Sequence, residues 1–191
     1  MDGLVGSEMC IRDSISDSKG AWFRATILFI LALIGTVGMW SVVVFIPDIE
    51  REFNLDRGTS SLLYAFTMIG FGFGTVAIGK IYDKFGIKKP ILLATIVLIA
   101  CYYLYSIFPF YWQFLTLQFF MGFAASAFFG PAMADISNYF NKQRGFALSI
   151  VASANYVAGA TWPLLIGYFL KFIDWRTTHF WISICCLLYT S

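Results

Sequence analysis

The chain has 191 residues, of which 59% are hydrophobic and 13% are charged, and its formal net charge is +2 at pH 7. A mean hydropathy of +0.75 is too high for an ordinary water-soluble domain, so most of the chain is expected to have lipid as its solvent. The basic residues are dispersed and form no continuous arm or face, which argues against a nucleic-acid-binding protein.

Both ends of the chain are expected to be foreign to the protein. Residues 4–14 (LVGSEMCIRDS) reverse-translate to a transposase adapter used in sequencing libraries, and residues 186–191 (CLLYTS) reverse-translate to the reverse complement of its mosaic end. We therefore predict that residues 1–14 and 186–191 are adapter translations and that residues 15–185 are a truncated native membrane bundle. The alternative is an ordinary polar tail and an ordinary helix end.

Five apolar segments are each long enough to cross about 30 Å of hydrocarbon as a helix. In chain order these spans 1 to 5 cover about residues 22–46, 60–78, 90–108, 113–134 and 146–170. A sixth segment begins near Thr178 and is cut short. Span 1 is too long for a signal peptide and has no small-x-small cleavage site, so it is expected to stay in the membrane. The pattern predicts an all-α, polytopic membrane bundle.

The loops predict how the bundle is inserted. If the N-terminus is cytoplasmic, more basic residues lie inside than outside, as the positive-inside rule requires. The inner set would be Lys19, Arg24, Lys80, Lys84, Lys88, Lys89, Lys142 and Arg144, and the outer set Arg51, Arg57, Lys171 and Arg176. We therefore predict a multi-pass protein of the cell (inner) membrane with a cytoplasmic N-terminus.

The polar stretch between spans 2 and 3 is the most distinctive motif of the chain. It reads GKIYDKFGIKK over residues 79–89. Its glycines permit tight turns and close helix approach, and an acid in so short a loop stays near the helix ends, where it can satisfy free N–H groups. The lysines suit anionic headgroups. The residues of interest are Gly79, Asp83, Lys84, Gly86, Lys88 and Lys89. A solvated turn with positive-inside lysines is the alternative interpretation.

This stretch resembles the G-x-x-x-D-[RK]-x-G-x-[RK]-[RK] loop between helices 2 and 3 of major facilitator transporters. The resemblance implies the N-terminal half of such a transporter, in which two six-helix halves rock about a central site and this loop is a conformational latch that contacts the other half. It implies a small-molecule substrate, membrane lipid and the missing C-terminal half as partners, and no cofactor. It also implies that Asp135 joins Asp83 and a loop base, Lys84 or Lys88, in one charge cluster. Otherwise Asp135 is a headgroup-level acid without a fixed partner.

A second stretch, residues 138–155, resembles the start of helix 5 in monocarboxylate and oxalate/formate carriers. Tyr139, Phe140, Lys142 and Arg144 fit that pattern, while Ser149 stands where glycine is usual. The resemblance implies a small organic anion, moved by an ion or solute gradient. The spans of this half contain no basic residue to bind a carboxylate, so such residues would have to lie in the missing half.

Polar and aromatic residues at helical spacing predict the face of a substrate cavity. Asn155, Gly159 and Trp162 recur on one face of span 5, and buried amides are costly against lipid. The candidates are Trp40, Tyr64, Gln118, Asn155 and Trp162. Each could bind substrate or join two helices, and the joining role is favoured for each residue taken singly.

No set of residues in the sequence predicts an enzyme or a metal site. The cysteines and the lone His179 have no metal-binding spacing, and the GxxxG of Gly70 and Gly74 follows no strand, so it predicts helix packing rather than phosphate binding. The chain is predicted to be a secondary transporter. A short structural or assembly membrane protein without transport activity is the alternative.

Overall fold

The computed structural model describes residues 18–190, and the side chains of residues 18–184. Span 1 comprises α1 (Lys19–Gly35) and α2 (Val37–Phe53), span 2 is α3 (Arg57–Phe85), and span 3 is α4 (Lys88–Ile107). Span 4 comprises α5 (Tyr111–Ala125), a 3₁₀ turn (Ser126–Phe128) and α6 (Gly130–Tyr139), span 5 is α7 (Arg144–Phe169), and α8 follows (Trp175–Thr190). The predicted adapter residues 1–14 lie outside the described residues, and of residues 186–191 only the backbone up to Thr190 is described.

Over residues 18–190 the structure confirms the predicted all-helical fold, with 5 candidate spans that are long and apolar enough to cross a membrane. Span 2 is longer than the sequence predicts, because its helix continues past the apolar window to residues that can cap it. Asp56 begins it by accepting the N–H groups of Gly58 at 2.9 Å and Thr59 at 3.1 Å, and Gly86, at a φ of 74°, ends it. Most of the predicted 79–89 loop is therefore helix, and the chain turns only at Gly86 and Ile87.

Spans 1 and 4 are both interrupted part-way along their length. In span 1 the interruption is at Thr36, whose backbone N–H and hydroxyl both donate to the carbonyl of Ala32, at 3.1 and 2.7 Å. In span 4 it is the 3₁₀ turn, and Pro131 lies in the first turn of α6 beyond it. The two interruptions touch, since a Cβ added to Gly35 would lie 2.2 Å from the ring of Phe128.

Span 2 packs against span 4 through glycines, as the GxxxG pattern predicts. A Cβ on Gly70 would lie 2.0 Å from the carbonyl oxygen of Phe119, and a Cβ on Gly122 would lie 2.0 Å from that of Thr67. Because the obstructing atoms are backbone, no rotamer change could relieve the overlap. Close contact of these two helices therefore requires glycine on both sides.

The buried side chains of residues 18–184 form two separate cores. The main core contains side chains from α2, α3, α4, α5, the end of α7 and α8. A smaller second core joins α1, α6 and the start of α7, through Ala21, Ala25, Leu28, Ala132, Ile136, Phe140, Ala147 and Val151. The boundary between the cores coincides with the interruptions of spans 1 and 4. We call the end of the bundle with the second core and the 79–89 stretch the lysine-rich end, and the other the opposite end.

Candidate functional site

A seam between spans 1 and 5 brings together three of the five predicted cavity residues. Trp40 on α2 donates its indole N–H to Oδ1 of Asn155 on α7, at 3.1 Å. One turn further along α7, a Cβ on Gly159 would lie 2.9 Å from the Trp40 ring, so the indole rests against the backbone of span 5. Trp40 and Asn155 are both partly buried. Their contact fixes the orientation of both side chains.

Trp162, on the same face of α7, ties the seam to the interruption of span 1. Its indole N–H donates to the carbonyl oxygen of Leu33 at 2.8 Å. Leu33 lies in the last turn of α1, where carbonyls have no partner within the helix. Trp162 thus donates a hydrogen bond to a backbone carbonyl near the point where span 1 is interrupted.

Within residues 18–184, the other two predicted cavity residues form no hydrogen bond with this seam. Gln118 is 1% exposed, accepts a hydrogen bond from Thr67 at 3.1 Å, and donates to the hydroxyl of Tyr105 at 3.3 Å. It therefore joins spans 2, 3 and 4, which is the helix-joining role favoured from the sequence. Tyr64, on span 2, is partly buried against the main core.

A partly buried ion pair fastens span 1 to span 4 at the lysine-rich end. Arg24 donates from Nε to Oδ2 of Asp135 at 2.6 Å and from a terminal nitrogen to Oδ1 at 2.9 Å. The guanidinium also lies 4.4 Å from the centroid of the Tyr139 ring. The Asp135 side chain is 9% exposed and that of Arg24 is 39% exposed. This two-pronged geometry is typical of strong arginine–carboxylate pairs.

The partner of Asp135 differs from the sequence prediction, which proposed Lys84 or Lys88. The reason is packing. Ala132 and Ile136, on the same helix as Asp135, pack in the second core against Ala21 and Ala25 of α1, which places Arg24 opposite the acid. From the sequence, Arg24 counted only as a charge that sets orientation. The signal that could have identified it was the stripe of small residues on either side of it.

The predicted latch residues face away from the bundle. Asp83, Lys84, Gly86, Lys88 and Lys89 are exposed, and Asp83 forms no ion pair within the described part of the chain. Lys89 lies 4.1 Å from the centroid of the Phe85 ring. A Cβ on Gly79 would meet nothing within 4 Å. The packing of the described residues therefore does not explain a glycine at position 79.

In the motif at the start of span 5, the aromatic residues are packed and the basic residues are exposed. Tyr139 lies under Arg24, and Phe140 is buried with its ring 4.9 Å from that of Trp22. Lys142 and Arg144 are exposed. The two aromatic residues thus belong to the second core, and the two basic ones face its surroundings.

At the opposite end, sequence reasoning missed a network around Glu52. Trp175 donates its indole N–H to Oε2 of Glu52 at 2.8 Å, and Arg176 donates to Oε1 at 2.6 Å and to the carbonyl of Phe108 at 2.9 Å. These contacts join the ends of spans 1 and 3 to the start of α8. The sequence analysis counted Arg176 only as a basic residue of the outer set and gave no sign that Glu52 was its partner.

Two aspartates begin helices at this opposite end. Hydrogen bonds from the hydroxyl of Thr59 lower the pKa of Asp56, and those from Thr177 lower the pKa of Asp174. The hydroxyl distances are 2.6 Å in both cases. Each aspartate is thus stabilised in its charged form at the start of a helix.

Comparison with known proteins gives a consistent result. A family model described as Major Facilitator Superfamily matches residues 28–190. The chain is 29% identical over 168 residues to the agnestins efflux protein AgnL12 of Paecilomyces divaricatus, covering 81% of this chain and 38% of that protein. It is 27% identical over 150 residues to the MFS-type transporter eupM of Phoma sp, covering 76% and 53%. It is 33% identical over 97 residues to the fujikurins efflux protein of Gibberella fujikuroi, covering 50% and 21%.

The chain spans between 38% and 53% of the length of the first two of these relatives. The named relatives are efflux proteins or transporters, and they do not single out the monocarboxylate or oxalate/formate carriers that the start of span 5 resembles.

Proposed function

The chain belongs to the Major Facilitator Superfamily, and on that premise we propose that it forms the N-terminal half of a secondary transporter that exports a small organic molecule by alternating access. It is a multi-pass membrane protein of a transporter family and not an enzyme, as the sequence predicted. The remainder of the transporter would supply the other wall of the central site.

The observation that supports this mechanism best is the contact between the interrupted spans 1 and 4. In secondary transporters, substrate sites lie near the bilayer midplane, where broken helices from internal repeats meet. Here Gly35 and Phe128 touch at the two interruptions, and the seam of Trp40, Asn155 and Trp162 lies beside them. A single-purpose structural bundle has no need of two facing helix breaks, each of which leaves backbone groups to be satisfied.

Export is the proposed direction because two of the relatives named above carry efflux in their names. An organic anion is the second candidate for the substrate class. It is favoured by Tyr139, Phe140, Lys142 and Arg144 at the start of span 5, as in the carriers which that stretch resembles. On this alternative, the basic residues that pair with the anion lie in the other half.

The 79–89 stretch is proposed as the latch that contacts the other half in one conformation. Its charged residues are exposed and Gly79 has open space beside it, as a surface reserved for another part of the protein would require. The lysine-rich end is proposed to be cytoplasmic, in the cell (inner) membrane, where lysines meet the anionic leaflet.

The test begins with long-read sequencing of the source DNA across both ends of the chain. The complete reading frame is then expressed in yeast that lacks its own drug exporters, and efflux of a panel of small organic compounds is measured with and without an ionophore. Efflux that the ionophore abolishes supports a gradient-driven exporter. A frame that encodes no second set of spans, or expressed protein without efflux of any compound, contradicts the proposal.

A further inference from the structure

We infer that Asn155 is a specificity-determining residue which donates a hydrogen bond to a carbonyl oxygen of an uncharged, aromatic substrate. This inference rests on the proposed function and names the substrate class of the same site. It is carried by the Trp40–Asn155 contact and by the absence of Asp, Glu, Lys, Arg and His from the middle of spans 1 to 5.

The first step is the orientation of the Asn155 amide. An indole N–H can donate but never accept, so the atom of Asn155 that faces Trp40 must be the oxygen. The Trp40 indole therefore decides which of the two positions is the amide oxygen and which is the nitrogen. With Oδ1 engaged by Trp40 at 3.1 Å, the NH₂ group points away from the indole.

The second step is that this NH₂ group is available. Asn155 is partly exposed, and residues 18–184 provide no hydrogen-bond acceptor for its nitrogen. Both neighbouring indole N–H groups are already committed, that of Trp40 to Asn155 and that of Trp162 to Leu33. The seam therefore presents aromatic faces and one free donor group, and it lacks a free acceptor of comparable strength.

The third step concerns charge. Residues 25–47, 58–79, 90–107, 111–134 and 145–170 contain no Asp, Glu, Lys, Arg or His. A carboxylate placed there would lose its hydration without gaining a counter-charge from this half, which is costly at low dielectric. A ketone, ester or lactone oxygen needs only a donor, and an attached ring can stack on tryptophan. The seam fits a neutral carbonyl compound better than an anion.

The test uses the full chain in lipid nanodiscs and a matched pair of fluorescent probes. 7-Methoxycoumarin is neutral and has a lactone carbonyl, and 7-methoxycoumarin-3-carboxylate has the same ring with a negative charge. Energy transfer from tryptophan to the bound coumarin reports binding, and empty nanodiscs give the lipid background. Asn155→Asp keeps an acceptor for Trp40 but loses the donor group, while Asn155→Leu removes both. Ser106→Ala is the control, because Ser106 lies at the end of span 3 and donates its hydroxyl to the carbonyl of Tyr103 in its own helix at 2.7 Å.

We expect the neutral probe to bind more tightly than the anion, and both Asn155 variants to weaken its binding roughly three- to tenfold, the effect of one hydrogen bond. Ser106→Ala should leave binding unchanged. Equal affinity of all variants for the neutral probe, preference for the anion, or no specific binding to the wild-type chain overturns the inference. None of these binding results depends on transport. The inference about Asn155 can therefore fail while the exporter proposal stands. Conversely, the efflux measurement can fail while the binding of the probe through Asn155 is confirmed. Near-identical circular dichroism and gel-filtration profiles are required of every variant compared.

Discussion

At the residue scale, the most consequential contact is the pair of Arg24 and Asp135. The carboxylate is buried and would be costly without its partner, whereas the arginine remains partly in contact with its surroundings. The pair closes the second core at the point where α1 meets α6. It thus has a structural role that does not depend on substrate.

Replacing Arg24 with glutamine is expected to lower the free energy of unfolding by about 2 kcal/mol, because it leaves a buried carboxylate unpaired. The cost is below that of a fully buried pair, since Arg24 is 39% exposed. Arg24→Lys should lower the free energy of unfolding by an intermediate amount, because lysine keeps the charge but cannot make the two-pronged contact with the carboxylate. Unfolding in mixed dodecyl maltoside and SDS micelles measures the effect. Arg57→Gln is the control: Arg57 is 81% exposed and 3.6 Å from Glu50, so about 0.5 kcal/mol or less is expected. Equal costs at the two positions would contradict this account.

The lowered pKa values of Asp56 and Asp174 predict how the stability of the folded chain depends on pH. Both have a lowered pKa in the folded chain, mainly because threonine hydroxyls donate hydrogen bonds to the charged carboxylates. Their contribution to stability is therefore fully present above the unfolded value of about 4 and is lost as the pH falls through the lower folded values. In a thermal melt series from about pH 6 to about pH 3, the double variant D56N/D174N should lose less stability than the wild type, since asparagine caps without titrating. Parallel pH curves for the two proteins would contradict the prediction.

At the element scale, glycines decide which helices can approach. Gly70 and Gly122 let spans 2 and 4 touch through their backbones, and Gly35 lets the ring of Phe128 lie on the interruption of span 1. Gly72 and Gly79, on the same helix as Gly70, have open space around them. One helix thus carries glycines of two kinds, and the sequence does not distinguish them.

Gly70→Ala is expected to destabilise the chain by about 2 kcal/mol, because the new methyl group meets the backbone of Phe119 and the helices must separate. Gly72→Ala is the matched control on the same helix, where alanine should be neutral or stabilising by about 0.5–1 kcal/mol. The same mixed-micelle titration measures both. If Gly72→Ala costs as much as Gly70→Ala, the close approach is not what requires the glycine.

Gly79→Leu separates the latch from local packing. The isolated chain should retain its stability within about 1 kcal/mol, because the side chain enters open space. In the complete transporter the same change should reduce efflux strongly, since it would obstruct the proposed contact with the other half. Efflux and expression level are measured together, with Gly72→Leu as the control. Normal efflux by the Gly79 variant would argue against the latch.

At the scale of the whole molecule, the chain is built as two cores joined at two helix interruptions. The second core holds the lysine-rich end together through small residues and the Arg24–Asp135 pair, and the Glu52 network ties spans 1 and 3 to α8 at the opposite end. The proposed cavity seam lies between these fastenings. The ends of this half are thus held by ion pairs, and its centre by the indole hydrogen bonds of Trp40 and Trp162.

The proposed orientation can be checked by labelling with a membrane-impermeant maleimide. In a variant without Cys10, Cys101, Cys185 and Cys186, a cysteine replacing Arg51 should react in intact cells, and one replacing Asp83 should react only after permeabilisation. Both positions are exposed, so accessibility within the protein is not limiting. The reverse pattern would invert the predicted topology.

The number of spans, the family and the glycine packing of span 2 could all be predicted from the sequence, because apolar length and short local motifs depend on neighbours along the chain. The partner of Asp135, the separation of Gln118 from the Trp40–Asn155 seam, and the Glu52 network could not. Each joins residues far apart in the chain, and their pairing depends on which helix faces meet.

The sequence by itself determined that the chain enters a membrane as a helical bundle, because a backbone in lipid must satisfy its own hydrogen bonds and long apolar runs leave no other solution. The tertiary structure alone decided which side chains meet. Rotation of each helix about its axis is set by packing against its neighbours, so only the assembled bundle places Arg24 on Asp135 and directs the Asn155 donor away from Trp40.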